Sequence, residues 1–312
     1  MKNYKYIGLF LLSLGVISCD VNNDLDPILE EAAPVVQLNT NGLDFSSYVS
    51  IGASFTAGFT DNALFIKGQE NSFPNILAGK FGTDFSQPLM NDNIGGLLFG
   101  GNVIQGPRLY FNGAGPTPLQ ATPTTEVTNS VSGNLNNFGI PGAKSFHFVA
   151  EGYGNVQGVP LRLANPYFAR MSSSSTATVL GDAMAQSPTF FTLSEIGGND
   201  VLGYALNGGY NPLIEETPFT AEVPASNAIY QSDNMVSPAD YGTNDITNAD
   251  VFASVFSSMV ATLTSNGAKG VVANVPYITN LAHFITVPYN PVPLDSGTAT
   301  QLNGAFAAYN AG

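Results

Sequence analysis

Apolar and polar positions along the chain follow two periods. Tyr48-Val49-Ser50-Ile51 is a short run of aromatic and β-branched residues that stops at Gly52 and passes into small residues up to Gly58. This is the pattern of a strand turning into a helix. Ser72 precedes apolar residues at 73, 76, 77 and 81, which predicts a helix over 72–81 with Ser72 as its N-cap. A second strand-like entry leads into Asn137-Phe138-Gly139-Ile140-Pro141-Gly142, and a short helical pattern covers Thr178–Ala185. The run from Thr189 to Ile196 predicts a buried strand that breaks at Gly197-Gly198-Asn199-Asp200. The longest helical stripe joins Val251, Phe252, Val255, Phe256, Met259, Val260 and Leu263, with Thr247 and Asp250 spaced as a capping box and Asn266-Gly267 as the stop. It feeds a short apolar strand, Gly270 to Val275, ending at Pro276.

This β-α-β alternation predicts an α/β fold, a three-layer α/β/α sandwich around a mostly parallel sheet. Two stretches interrupt it, 83–135 and 207–245, both rich in Gly, Pro and Asn. They are too long for bare loops and are expected to form irregular insertions at the carboxyl edge of the sheet.

The N-terminus has a different character. Lys2 and Lys5 precede an apolar stretch from Ile7 to Ile17, roughly 11 residues and so short of the ~20 that a membrane span needs. The stretch ends in Val16-Ile17-Ser18-Cys19, which resembles the bacterial lipobox. That resemblance implies a signal peptide over 1–18, a lipidated Cys19 and a protein held on the extracytoplasmic side of the cell envelope. Residues 19–45, which open Asp20-Val21-Asn22-Asn23-Asp24, read as a flexible acidic tether, leaving 46–312 as the folded domain.

Composition narrows the function. Nine Lys and Arg against 23 Asp and Glu give a formal charge of −14, which disfavours phosphate backbones and excludes nucleic acid as an expected partner. One Cys and two His cannot build a disulfide framework or a Cys/His zinc site.

Three loops that follow predicted strands carry the candidate chemistry: Gly52-x-Ser54, Asn137 to Gly142, and Gly197-Gly198-Asn199-Asp200. Parallel sheets gather such loops at their carboxyl edge. In this order and context the blocks resemble the SGNH (GDSL-type) esterase and lipase superfamily over most of residues 46–312. The resemblance implies a flavodoxin-like sheet and hydrolysis of acyl or acetyl esters, in lipids or acetylated glycans, through an acyl-serine, with no metal or organic cofactor. It implies Ser54 as nucleophile and first oxyanion donor through its N–H. Gly142 would supply a second N–H, at a point where a Cβ would crowd the oxygen, and Asn199 a side-chain amide.

Two blocks depart from the pattern. The usual Gly-Asp-Ser-Leu is Gly52-Ala53-Ser54-Phe55, so a hydrogen bond that organises the turn is expected to be lost, with Phe55 facing the core. The family's Asp-x-x-His is absent, because Lys144 stands three residues before His147 and Asn280 three before His283. His147, between two Phe, reads as a packed residue, and His283 as a weak surrogate base. Residues 297–312 resemble the opening of a helix, so the final strand, final helix and Asp-x-x-His are expected beyond this chain. The competing expectation is a non-catalytic lipoprotein that binds glycans or lipids. Cys19→Ser is expected to abolish incorporation of labelled fatty acid and to release the protein from the membrane fraction.

Overall fold

The structure is a computed structural model of the chain and describes residues 39–212, 222–224, 241–275, 277–286 and 292–311. Residues 1–18, Cys19 and much of 207–245 therefore lie outside the described residues. The chain divides after Asn39, and the unit Thr40–Gly312 holds every element named below.

In chain order the unit opens with β1 (Tyr48–Gly52), α1 (Ser54–Ala57), α2 (Ile66–Glu70) and α3 (Phe73–Phe81). Two hairpins follow, β2 (Leu97–Phe99) with β3 (Asn102–Gln105) and β4 (Leu109–Phe111) with β5 (Pro116–Pro118). Then come β6 (Asn137–Gly139), α4 (Pro166–Ala169), α5 (Val179–Ala185), β7 (Phe190–Leu193) and α6 (Gly198–Leu206). The hairpin β8 (Tyr210–Pro212) with β9 (Glu222–Pro224) precedes α7 (Ala249–Thr264) and β10 (Lys269–Val272). Short helices α8 (Ala282–Ile285), α9 (Ser296–Ala305) and α10 (Ala307–Asn310) complete the described chain.

Strands β10, β7, β1 and β6 lie in that order in one parallel sheet. From β1 the next sheet strand in sequence, β6, lies on one side and the following one, β7, on the other. The strand order thus reverses between β1 and β7, and the crevice outside the carboxyl ends of these two strands is where such sheets bind ligands. Every residue of β1 and of β7 is buried, which is why both read as continuous apolar runs.

Helices cover both faces. Val49, Ile51, Phe191 and Leu193 pack with Val179, Leu180 and Ala183 of α5 and with Met259 and Leu263 of α7. On the opposite face Tyr48 and Phe190 pack against Ala78, Phe81 and Phe85. The polar atoms on this face are satisfied within the sheet: the Tyr48 hydroxyl and Thr192 Oγ1 lie 2.9 Å apart, and Thr192 Oγ1 donates to Ser50 Oγ at 2.8 Å.

Three local details refine or correct these expectations. The N-cap of α7 is Asn248, whose side chain accepts from the N–H groups of Asp250 and Val251, while Thr247 Oγ1 is buried with no partner among the described residues. An Asn one residue nearer the helix outcompetes the Thr, because its carboxamide oxygen reaches both N–H groups. Ser72 does precede α3 as its N-cap, yet its hydroxyl donates to Gln87 Oε1 and leaves the helix uncapped by side chain. Strand β10, read as a short apolar strand, is an edge of the sheet among the described strands, with Val271 57% and Val272 42% exposed. Val271 borders an open apolar groove of about 270 Å³, lined also by Phe55, Phe73, Leu77, Phe81 and Ala273.

The turn after β1 is held by close backbone contact. A Cβ at Gly139 would lie 2.2 Å from Ala57 N, and one at Gly52 would lie 2.1 Å from Thr56 Oγ1 and 2.6 Å from the Ser194 carbonyl oxygen. Helix α1 therefore rests directly on the ends of β1 and β6, and the end of β1 lies against the residue that follows β7. Gly139→Ala is expected to lower stability by about 3 kcal/mol, measured by urea unfolding, because the intruding methyl meets backbone that cannot rotate away.

Candidate active site

Three loops meet at the β1–β7 crevice. The Gly52 carbonyl accepts from Ile140 N at 2.8 Å, and the Ile51 carbonyl accepts from Ser194 N at 3.0 Å, so the loops after β6 and β7 are bonded to the end of β1. Asn137 fastens the far end of α1: its Nδ2 donates to the Thr56 carbonyl at 3.0 Å and to Gln87 Oε1 at 2.9 Å, while its Oδ1 accepts from Gly139 N.

Ser54 is the first residue of α1 and is half-buried. Among the described residues neither its Oγ nor its backbone N–H has a hydrogen-bond partner, which leaves both unspent. Phe55 departs from expectation. It is 65% exposed and stacks on Phe73 with ring centroids 5.3 Å apart, because a helix of four residues turns this position outward.

The residue that sequence reasoning missed is Glu195, two positions beyond β7. Its carboxylate accepts from Ala53 N at 3.2 Å and from Phe55 N, Thr56 N and Thr56 Oγ1, each at 2.7 Å. The turn was expected to lack an organising hydrogen bond because of Ala53. It has four, supplied from the neighbouring loop. Glu195 holds φ at +63°, a left-handed conformation uncommon outside glycine. A signal was present in the sequence, since a carboxylate inside an otherwise apolar run requires a hydrogen-bonding partner.

Gly142 follows β6 with φ at +79° and is exposed. A Cβ there would meet no atom, so backbone conformation rather than crowding by protein demands the glycine. Its N–H also has no partner among the described residues. Asn199, in the first turn of α6, donates from Nδ2 to the Ala143 carbonyl at 2.9 Å. This aims the amide at the Gly142 loop and leaves its second N–H unspent.

The next residue, Asp200, anchors that loop from below. Its buried carboxylate accepts from Ser145 N at 2.9 Å and Ser145 Oγ at 2.6 Å. Lys144, also buried, donates from Nζ to the Asp245 carbonyl at 2.5 Å and to the Gly242 carbonyl at 3.4 Å. Burial pulls its pKa below the usual lysine range, opposed by the charges of Asp200 and Asp245.

Neither histidine reaches Ser54. His147 Nδ1 accepts from Lys144 N at 3.0 Å, which puts the ring proton on Nε2, and the ring stacks on Tyr153 with centroids 4.1 Å apart. Burial, reinforced by the Lys144 ammonium, pushes its pKa down to about 3. His283 sits on α8, exposed, in edge contact with Phe284. Among the described residues no group of three or more His, Cys, Asp or Glu could hold a metal ion, and no helix is long and apolar enough to cross a membrane. Comparison with family models, curated proteins and solved structures finds no match to this chain.

The depressed pKa of His147 makes stability depend on pH. The unfolded chain binds a proton near pH 6.5 and the folded one only near 3, so His147 leaves stability intact above 6.5 and erodes it as the pH falls toward 3. Unfolding free energy from urea titrations is expected to drop by about 2 kcal/mol from pH 7 to pH 5 through this residue. His147→Gln should flatten that slope.

Proposed function

We propose that the chain is a serine ester hydrolase of SGNH type, held in the cell envelope through lipidated Cys19. The observation that carries this reading is the state of Ser54. A hydroxyl at the first turn of a helix, at the crevice where strand order reverses, stands beside an unspent N–H of its own, while the Gly142 N–H lies on the adjoining loop and the Asn199 amide, from α6, is bonded to that loop at Ala143. Three such donors suit the oxygen of a tetrahedral intermediate.

In this reading Ser54 Oγ attacks the ester carbonyl carbon and the carbonyl electron pair moves to oxygen, where the three donors stabilise it. Collapse breaks the bond to the alkoxy oxygen and expels the alcohol, leaving acyl-Ser54, which water then hydrolyses to the free acid. The chain contains no Asp-x-x-His, and His147 is committed to Lys144 N and Tyr153. Without such a base the Ser54 proton passes to solvent, and turnover is far below that of a serine with its imidazole base. The substrate class is a carboxylic ester of a lipid or an acetylated glycan.

The second reading, a protein that binds lipid or glycan without turnover, is favoured by one observation, that among the described residues no imidazole lies on Ser54. Hydrolysis of p-nitrophenyl acetate and butyrate separates the two. Ser54→Ala is expected to lower the rate at least tenfold, and Asn199→Ala to lower kcat by about 10²-fold. Equal rates for the parent and Ser54→Ala would eliminate the hydrolase.

A further inference from the structure

The geometry points to Glu195 as a positioning residue that supplies, from a separate loop, the N-cap that α1 lacks at Ala53, and so fixes the orientation of Ser54. A capping side chain normally sits on the N-cap residue itself and accepts from the second and third N–H groups of the helix. In α1 those groups belong to Phe55 and Thr56, and both donate to Glu195 at 2.7 Å. The N-cap residue is Ala53, which makes no side-chain cap and is 2% exposed, so its own side chain contributes only a methyl to the interior.

The remaining contacts fit the same role. Ala53 N and Thr56 Oγ1 also donate to the carboxylate, so it is bound by four donors from one turn. Charge-assisted bonds of this kind are the stronger class. The left-handed backbone at Glu195 is the conformation that brings its side chain back over the turn, and four bonds to one carboxylate keep a non-glycine residue there. The N–H that Glu195 leaves alone is that of Ser54. The clamp thus occupies the donors on either side of Ser54 while its own N–H stays available to a developing oxyanion.

The orienting half of this inference rests on Ser54 being the nucleophile. The capping half does not, and the test reads them separately. Amide hydrogen exchange of residues 53–56, and kcat and KM for p-nitrophenyl butyrate, are measured for Glu195→Ala, Glu195→Gln, Ala53→Asp and the double variant Ala53→Asp/Glu195→Ala. Loss of the carboxylate is expected to speed exchange at Phe55 and Thr56 about tenfold, leaving β1 and β7 amides unchanged, in keeping with the loss of a cap. It is expected to lower kcat about tenfold with KM within twofold. The conservative Gln variant, which keeps size and one acceptor oxygen, should lose less and serves where Ala fails to fold.

The signature is a reversal of sign. Asp at position 53 should restore protection and kcat to within about threefold when Glu195 is absent, because it caps Phe55 and Thr56 from its own residue. In the parent background it should do harm, since two carboxylates then compete for one set of donors. Unchanged exchange in Glu195→Ala, or a double variant no better than Glu195→Ala, overturns the inference. Absence of any Ser54-dependent hydrolysis in the parent sinks the hydrolase reading and the orienting role with it, while the exchange data still decide the cap.

Discussion

Two backbones meet in this structure at a distance that no side chain could survive, and the site is built on that contact. With Gly139 beneath Ala57 and Gly52 against Thr56 and Ser194, helix α1 sits on the strand ends without a spacer. The sheet register sets Gly52 opposite Gly139, so both permissive residues fall where the helix lands. Side chains then lock what the glycines allow. Asn137 holds the carbonyl end of α1 and Glu195 its amide end, and Asp200 ties the Gly142 loop to α6. A shift of one residue in the pairing of β1 with β6 would put a Cβ into this contact and pull all three loops apart.

The acidic surplus takes on structural meaning in the same light. Carboxylates in this unit mostly serve backbone amides rather than cations. Asp182 accepts from Ser173 N, Asp92 from Ile94 N and Gly95 N, and Glu126 from Gly100 N and Gly101 N, as Glu195 and Asp200 do at the site. Lys67 with Glu70 is the one ion pair among the described residues. A chain with 10% charged residues thus spends its carboxylates on turns, where each satisfies N–H groups that no strand or helix ladder would.

Where burial on both sides dictated the residues, the sequence could be read directly. Strands β1 and β7 appear as apolar runs, and α7 as a stripe whose inner members Met259 and Leu263 are fully buried. The order of the three loops was readable too, because a parallel sheet brings its carboxyl-end turns together whatever their separation. What escaped reading depended on partners distant in sequence. Glu195 looked like part of a strand because its donors lie some 140 residues upstream. Val271 and Val272 have the composition of an interior strand, and only the strand order makes them an edge. Phe55 read as core since helical period cannot be judged over one turn, and the Asn248 cap was masked by a better-spaced Thr247. His147 lies at the other extreme, since flanking Phe residues announce a packed ring, although the stacking on Tyr153 could not be foreseen.

The strand order carries a consequence for how this chain reaches its fold. Thr192 meets Ser50 at a sequence separation of 142, and β6 pairs with β1 only after both hairpins have been traversed. Long closures of this kind cost chain entropy before any pairing rewards them, so assembly of the sheet is slow relative to formation of α7 or the hairpins. Until β7 docks, β1 and β7 expose largely apolar strands, and afterwards, among the described strands, the Val271-Val272 edge still offers its backbone to a neighbour. Refolding yield should then be governed by dilution more than by temperature, with strand-to-strand association between copies as the competing route.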